Sequence, residues 1–396
     1  MDLQFRKNTK QTYFFSQPHQ PFFVLGFINA VVTMAVFALA YQKEIFLSIS
    51  PISFHLYGLT YLLFTPLFLG FLFTTFSKFT STKAIEQEVY LRVFGLFYLG
   101  AILFLLGTIV SAFLSAVGMG ILWVGHFMGF LILLNIYRNS HLNDIQDSFW
   151  MIVAMGFGVF SHLFFIFSTV FNAPLNFLAI EIAIYLYLFL LIFSVAQRMI
   201  PFFSHSFSEK NKTLLRDIFF LLAIHIVLDS LWLHSALIID FILAYLIANQ
   251  IRQWGFSFPE PNPLLFILQI GLYWIPVSFV LGGVTNLIAW IFDVNFLSLD
   301  IHVLMLGFAF TVLIGFATRV ALGHSGNKME ADRWTQRLFY TTQVVVFLRI
   351  FTSFAAALQS NFSLLFTLSV VAWCFVFIVW MIKYFPLLIT GKKLTA

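Results

Sequence analysis

The sequence predicts an all-α membrane fold of about twelve transmembrane helices, with both chain ends on the cytoplasmic side. Composition is the first ground: 61% of the 396 residues are hydrophobic, 9% are charged, and the mean hydropathy is +0.96. A soluble domain carries roughly 25% charged residues, so a soluble fold is excluded. The second ground is the series of apolar runs from Pro21 to Pro386. Each is about twenty residues long, enough to cross about 30 Å of hydrocarbon. The third is charge placement, because cytoplasmic loops retain Lys and Arg. Of the 21 Lys and Arg residues, all but Lys43 and Arg349 fall on one side of the expected helices. An even helix count follows, and every even-numbered helix starts at the external face.

In chain order the helices are expected at 21–40, 53–76, 91–114, 119–137, 148–171, 175–200, 214–233, 235–251, 263–290, 299–322, 335–359 and 362–385. The longest connections, around 80–88, 205–213 and 325–334, are all basic-side loops. No separate domain or long linker is visible, so residues 1–396 form one transmembrane domain. The N-terminus carries Arg6, Lys7 and Lys10 but lacks a short apolar stretch with a small-residue cleavage site, so the first helix is expected to stay as an anchor. The 55 phenylalanines point to aromatic packing and a Phe-rich lipid face. Cys374 is the single cysteine, which excludes an internal disulfide and an all-cysteine metal site. Metal chemistry falls to histidine.

Depth orders the histidines. His55 near the start of the second helix and His302 near the start of the tenth should lie at similar depth under the external face, where they could face each other. A bis-histidine haem needs two imidazoles from different helices at one level. Against this stands the plain reading that each bonds a carbonyl or meets interfacial water. His126 lies about 9 Å deeper on its helix and could serve a second centre. His225 and Asp229 share a helical face at i and i+4, where a carboxylate can orient an imidazole for a metal, and His234 follows at the external end. His162 and Glu181 are further ionisable residues within the membrane. Such residues are expensive there and default to a functional hypothesis, with a proton-bridged structural pair as the bland alternative. Arg349, in the middle of the eleventh helix, needs an anion: Glu181, Asp229, Asp240 or a haem propionate. Two similar segments end the sixth and tenth helices, Arg198 to His205 and Thr318 to Gly326. With Arg198, Arg319 and His324 they could make a cationic pocket for propionates or a quinone headgroup. Positive-inside anchoring and glycine capping are the alternative.

The stretch His302 to Asn327, with its leading histidine, terminal arginine and Gly323-His324-Ser325-Gly326, resembles the NnrS family, with Ser325 in place of a threonine. Arg198-Met199-Ile200-Pro201-Phe202-Phe203, Pro21-Phe22-Phe23 and Gly70-Phe71-Leu72-Phe73-Thr74 are similar to segments of the same family. His55 falls on the first histidine of the family's His-x-His-Glu segment, but Tyr57 and Gly58 stand where the second histidine and the glutamate are common. Asn327 stands where an arginine is common. The resemblance implies a bacterial inner-membrane protein associated with haem and copper and with denitrifying and nitrosative-stress responses. It supports a ligand role for His55, and the departures at Tyr57 and Gly58 put a second metal site there in doubt.

These readings lead to one main expectation and one alternative. The main one is a haem-binding protein that protects against nitric oxide, with His55 and His302 as iron ligands and His126, His225 and His234 as candidates for a further metal such as copper. A haem-dependent oxidoreductase drawing electrons from a quinone or another donor would fit it. Nucleic acid is not an expected partner. The alternative is a transporter for a metal, haem or small solute that uses the intramembrane His225, Asp229, Glu181 and Arg349.

Overall fold

The computed structural model describes residues 12–206, 208–232 and 235–394, and these are helical throughout, with no strand among them. Twelve long helices follow in order. They are α1 (His19–Tyr41), α2 (Pro51–Phe79), α3 (Gln87–Val110), α4 (Ala112–Arg138), α5 (Gln146–Phe171) and α6 (Asn176–Phe203). Then come α7 (Leu214–Leu231), α8 (Leu237–Trp254), α9 (Pro263–Phe292), α10 (Leu299–His324), α11 (Arg333–Ala357) and α12 (Phe362–Thr390). All twelve expected helices are present. Ten are long and apolar enough to cross a membrane. The other two, α7 and α8, have 18 residues each, and Arg216, Asp217 and Asp229 on one and Asp240 and Arg252 on the other dilute their apolar character.

One boundary falls elsewhere than expected. The turn between α3 and α4 was expected near residues 115–118 but is the single extended residue Ser111. Small residues explain it. A Cβ on Gly107 would come 2.2 Å from the Ser115 nitrogen, and one on Gly118 would come 2.4 Å from the Phe104 nitrogen. With no side chains between them, the two backbones close directly into a hairpin.

Burial separates a centre from a rim. In α2, α6 and α10, 78%, 89% and 72% of the most apolar window is buried, whereas no other spanning helix exceeds 50%. The same three helices are the ones interrupted by π-helical segments, at Gly58–Phe64, Ile182–Phe189 and Leu304–Phe310. A π segment widens the turn and frees a backbone carbonyl. Thr65 Oγ1 donates to the Thr60 carbonyl at 2.8 Å in α2, and Thr311 Oγ1 donates to the Leu306 carbonyl at 3.0 Å in α10.

Aromatic side chains fill the space around this centre. Phe27 stacks on Trp380 at 4.0 Å, and the indole N–H groups of Trp380 and Trp373 donate to Thr318 and to the Ala30 carbonyl. Thus α12 is pinned to α10 and α1. The two described chain ends meet: a Cβ on Gly391 would come 2.9 Å from the Tyr13 ring. Both ends therefore lie at one end of the bundle.

Candidate metal and cofactor centres

Three groups of chemically capable side chains occur at different places in the bundle. The first is at the starts of α2 and α10. Ser50 caps α2 by accepting from the Ser53 N–H, and Pro51 fits the first helical position, so His55 sits one turn inside the helix start. His302 occupies the matching position one turn into α10. Their rings lie 6.4 Å apart, centroid to centroid, with planes 18° from parallel.

Each ring is held from behind. Phe37 of α1 packs on His55 at 4.2 Å, and His302 Nδ1 is 2.8 Å from the Ser298 carbonyl. That contact suits an Nδ1–H donor and leaves the lone pair on Nε2. His55 Nδ1 is buried and without a hydrogen-bond partner. The two rings border a cavity of about 360 Å³ walled by Phe37, Tyr41, Phe64, Phe366 and Trp373, with Arg349 among its few polar groups. Volume and apolar lining are those of a small-molecule site.

Arg349 reaches this cavity from α11. Its guanidinium donates to the Leu297 carbonyl at 3.0 Å and to Ser353 at 2.5 Å, and it lies 3.2 Å from His302 Nδ1. Among the described residues no carboxylate lies within 4.0 Å of it. Glu181, Asp229 and Asp240, expected as possible partners, gather elsewhere. A partly buried guanidinium paired only with neutral groups is suited to an anionic ligand group.

The second group lies between α2, α4 and α5. His162 Nε2 is 2.7 Å from the Tyr57 hydroxyl, its ring stacks on Tyr61 at 3.8 Å, and its Nδ1 is 3.4 Å from His126 Nδ1. The Tyr61 hydroxyl bonds Ser161 at 2.9 Å. His126 and His162 are wholly buried, and His126 Nε2 has no hydrogen-bond partner. Tyr57 therefore fills the place beside His162 with a phenol. Gly58 stands where the resembled motif has glutamate: a Cβ there would come 3.0 Å from Thr33 Cγ2 of α1, so a longer side chain would require Thr33 to shift. The tyrosines at i and i+4 in α2 were a readable signal of this network that the sequence reading did not use.

The third group lies between α6, α7, α8 and α10. His225 Nδ1 is 2.9 Å from Asp240 Oδ1, and His225 Nε2 is 3.8 Å from both Glu181 Oε2 and Asp229 Oδ2. The Tyr185 ring packs on His225 at 4.6 Å and its hydroxyl donates to Asp300 at 3.4 Å. The expected His225–Asp229 pairing is present, but Asp240 is the nearer carboxylate. His234, the other candidate on this side, lies outside the described residues.

Arg198, Arg319 and His324 sit at the far ends of α6 and α10. The 22 residues from His302 to His324 rise about 33 Å at 1.5 Å per residue. No single cofactor reaches from one end to the other. At that far end Arg198 pairs with Asp147 at 3.1 Å, Arg319 lies over the Phe203 ring at 4.0 Å, and His324 packs against His19 at 4.5 Å. Arg198 thus has its anion within the protein. Pro21-Phe22-Phe23 and Gly70 to Thr74 also meet at this end of the bundle, since a Cβ on Gly70 would come 2.7 Å from Phe22 Cβ.

A family model described as NnrS protein matches residues 13–392. A search of curated proteins found no match.

Proposed function

The chain belongs to the NnrS family, and from that premise we propose that it is a haem-binding inner-membrane protein acting in nitric oxide detoxification or the nitrosative-stress response. The observation that carries the proposal is the pair of near-parallel imidazoles, 6.4 Å apart, bordering an apolar cavity that also receives Arg349. The donor chemistry fits haem. Two neutral imidazoles from different helices are donors that would hold haem iron, and His55 Nδ1 is buried with no hydrogen-bond partner in the protein. Ferrous haem would supply an iron centre for nitric oxide once one of the two histidines gives up its place.

The residues supply the rest. His55 and His302 would hold the group, with His302 oriented by the Ser298 carbonyl. Arg349 binds a propionate in place of a protein carboxylate. Phe37, Phe64, Phe366 and Trp373 exclude water and favour entry of an apolar gas. For a second metal, copper in keeping with the family, we propose His126 with its free Nε2 beside His162. The far-end cluster of Arg319 and His324 is proposed to meet a quinone or another electron donor. In this reading the basic loops are cytoplasmic, both chain ends are cytoplasmic with them, and the membrane is proposed to be the bacterial inner membrane.

Transport is the second reading, and the buried Glu181, His225 and Asp240 are the observation that favours it, since such groups line ion and proton paths. Colour separates the two. Purified protein should show a Soret band that shifts when nitric oxide is added to the dithionite-reduced form, with iron by elemental analysis. A colourless, iron-free protein after purification with haem supplied throughout would sink the haem reading and leave transport.

A further inference from the structure

The chemistry proposed for the His55–His302 cavity makes no use of the third group, the carboxylates gathered around His225. Taking charges out of water is costly unless something compensates them. Asp240 is 1% exposed and Glu181 6%. Two oxygens in this group, Glu181 Oε2 and Asp240 Oδ2, are buried and make no hydrogen bond. Asp300 comes to the same place. A Cβ on Gly282 of α9 would lie 3.1 Å from Asp300 Cβ and 3.5 Å from Asp240 Oδ2, so the glycine lets α8, α9 and α10 close around the acids. No lysine or arginine within 4.0 Å pairs with these carboxylates among the described residues.

We propose that Glu181, His225 and Asp229 bind a divalent first-row cation that prefers oxygen and nitrogen donors, such as Mn²⁺, Fe²⁺ or Zn²⁺. One donor atom from each lies within 4.8 Å of the others. Metal–ligand bonds of about 2.0–2.2 Å bring donor atoms to roughly 3.0–3.6 Å from one another. The 3.8 Å separations of His225 Nε2 from Glu181 Oε2 and Asp229 Oδ2 need a few tenths of an ångström of closure, and the two carboxylates, within 4.8 Å of each other, close by up to about 1–2 Å as the ion draws them in.

Asp240 completes the arrangement from outside. Its Oδ1 sits 2.9 Å from His225 Nδ1. A carboxylate behind an imidazole fixes the tautomer that offers Nε2 to a metal and raises its basicity. Two ligating carboxylates balance the cation's charge. Two carboxylates and one imidazole, with no thiolate, favour these divalent ions over copper(I).

This site is independent of the haem proposal. Along α6, Ile180 and Ile184 face the histidine-lined cavity while Glu181 and Tyr185 face the carboxylate group. Along α10, His302 faces the cavity while Asp300 faces the acids. The two helices form a wall with a different chemistry on each side.

The test uses full-length protein purified in detergent, stripped with chelator and reloaded with Mn²⁺. The expected result is about one Mn²⁺ per folded chain by elemental analysis, with a bound-ion electron paramagnetic resonance signal. Glu181→Gln and Asp240→Asn should each weaken it at least about tenfold, while haem per chain, read by absorption, stays at the wild-type level. If Glu181→Gln does not fold, Asp229→Asn at the half-buried edge of the group decides by the same readout. No bound Mn²⁺ in the wild type, or unchanged occupancy in the folded variants, would overturn the assignment.

Discussion

Two pairs of histidines sit inside this bundle, and they differ in what surrounds them. His55 and His302 lie 6.4 Å apart at a cavity of about 360 Å³, each steadied from behind; His55 Nδ1 has no hydrogen-bond partner, and His302 Nε2 has only the Arg349 guanidinium at 3.4 Å. His126 and His162 lie 5.6 Å apart, centroid to centroid, but Tyr57 and Tyr61 pack directly against His162. The residue type and its membrane setting are the same. What differs is the neighbour: phenols fill the second pair's space, while the first pair is left with aromatic walls and room. An intramembrane histidine is therefore read by the volume beside it, and its identity alone decides little.

The largest effect expected from this contrast is on haem. His55→Ala or His302→Ala should lower haem per chain at least about tenfold, the scale seen when even an outer-shell partner is lost. His126→Ala and His162→Ala should leave the Soret absorbance per chain near the wild-type value. Equal losses from both pairs would erase the distinction. Next is Arg349→Leu, which removes a charge-assisted contact worth about 1.5–3 kcal/mol and should weaken haem binding roughly tenfold or more in a titration of apoprotein. Arg349→Lys should recover part of that loss.

The tyrosine can be turned into a probe. Tyr57→Phe strips the hydroxyl from His162 Nε2 and should cost about 1–3 kcal/mol of stability, read as a lower unfolding midpoint in detergent with an unchanged haem spectrum. Tyr57→His should let the second pair acquire a metal it otherwise holds weakly, seen as added copper or zinc in elemental analysis. If neither metal binds, room rather than donor type limits that site.

The smallest effect lies outside both pairs. Asp332 caps α11 by accepting from the Thr335 N–H, and Lys383 donates to both of its oxygens at 2.6 Å. Partial burial opposes ionisation, but the hydrogen bonds from Lys383 and Thr335 outweigh it and hold the carboxyl below its ordinary value of 3.8. Its contribution is therefore present above that value and lost as pH falls through the lowered one. Asp332→Ala should cost about 1 kcal/mol near neutral pH. The gap between variant and wild-type unfolding midpoints should close at strongly acid pH.

Much of the fold was legible because each spanning run announces itself by length. The facing of His55 and His302 was legible because both begin even-numbered helices at one depth. Three things were hidden. The α3–α4 turn depends on glycines meeting across space, and no local signal marks Ser111 as the break. The partner of Arg349 could not be chosen, because Glu181, Asp229 and Asp240 are spread over α6, α7 and α8 and only packing collects them around His225. Asp300, two residues before the noticed His302, was overlooked because its role depends on Gly282 of another helix. The far-end arginines were offered as a pocket for haem propionates or a quinone headgroup, and the 22 residues from His302 to His324, about 33 Å, put propionates of a haem at His302 out of their reach.

The π segments of α2, α6 and α10 also affect the angular phase of each helix. A single widened turn amounts to one residue more than a regular α-helix would use, and each residue advances the helix by about 100°. In each central helix, the half before the segment is therefore turned by about that angle relative to the half after it. His55 and His302 are on the early halves; Gly70, Arg198 and Arg319 are on the late halves. Counting 3.6-residue turns from one end to the other misassigns faces in all three helices. Removing one residue within 58–64 or 304–310 would rotate a histidine relative to the cavity while leaving the histidine itself unchanged.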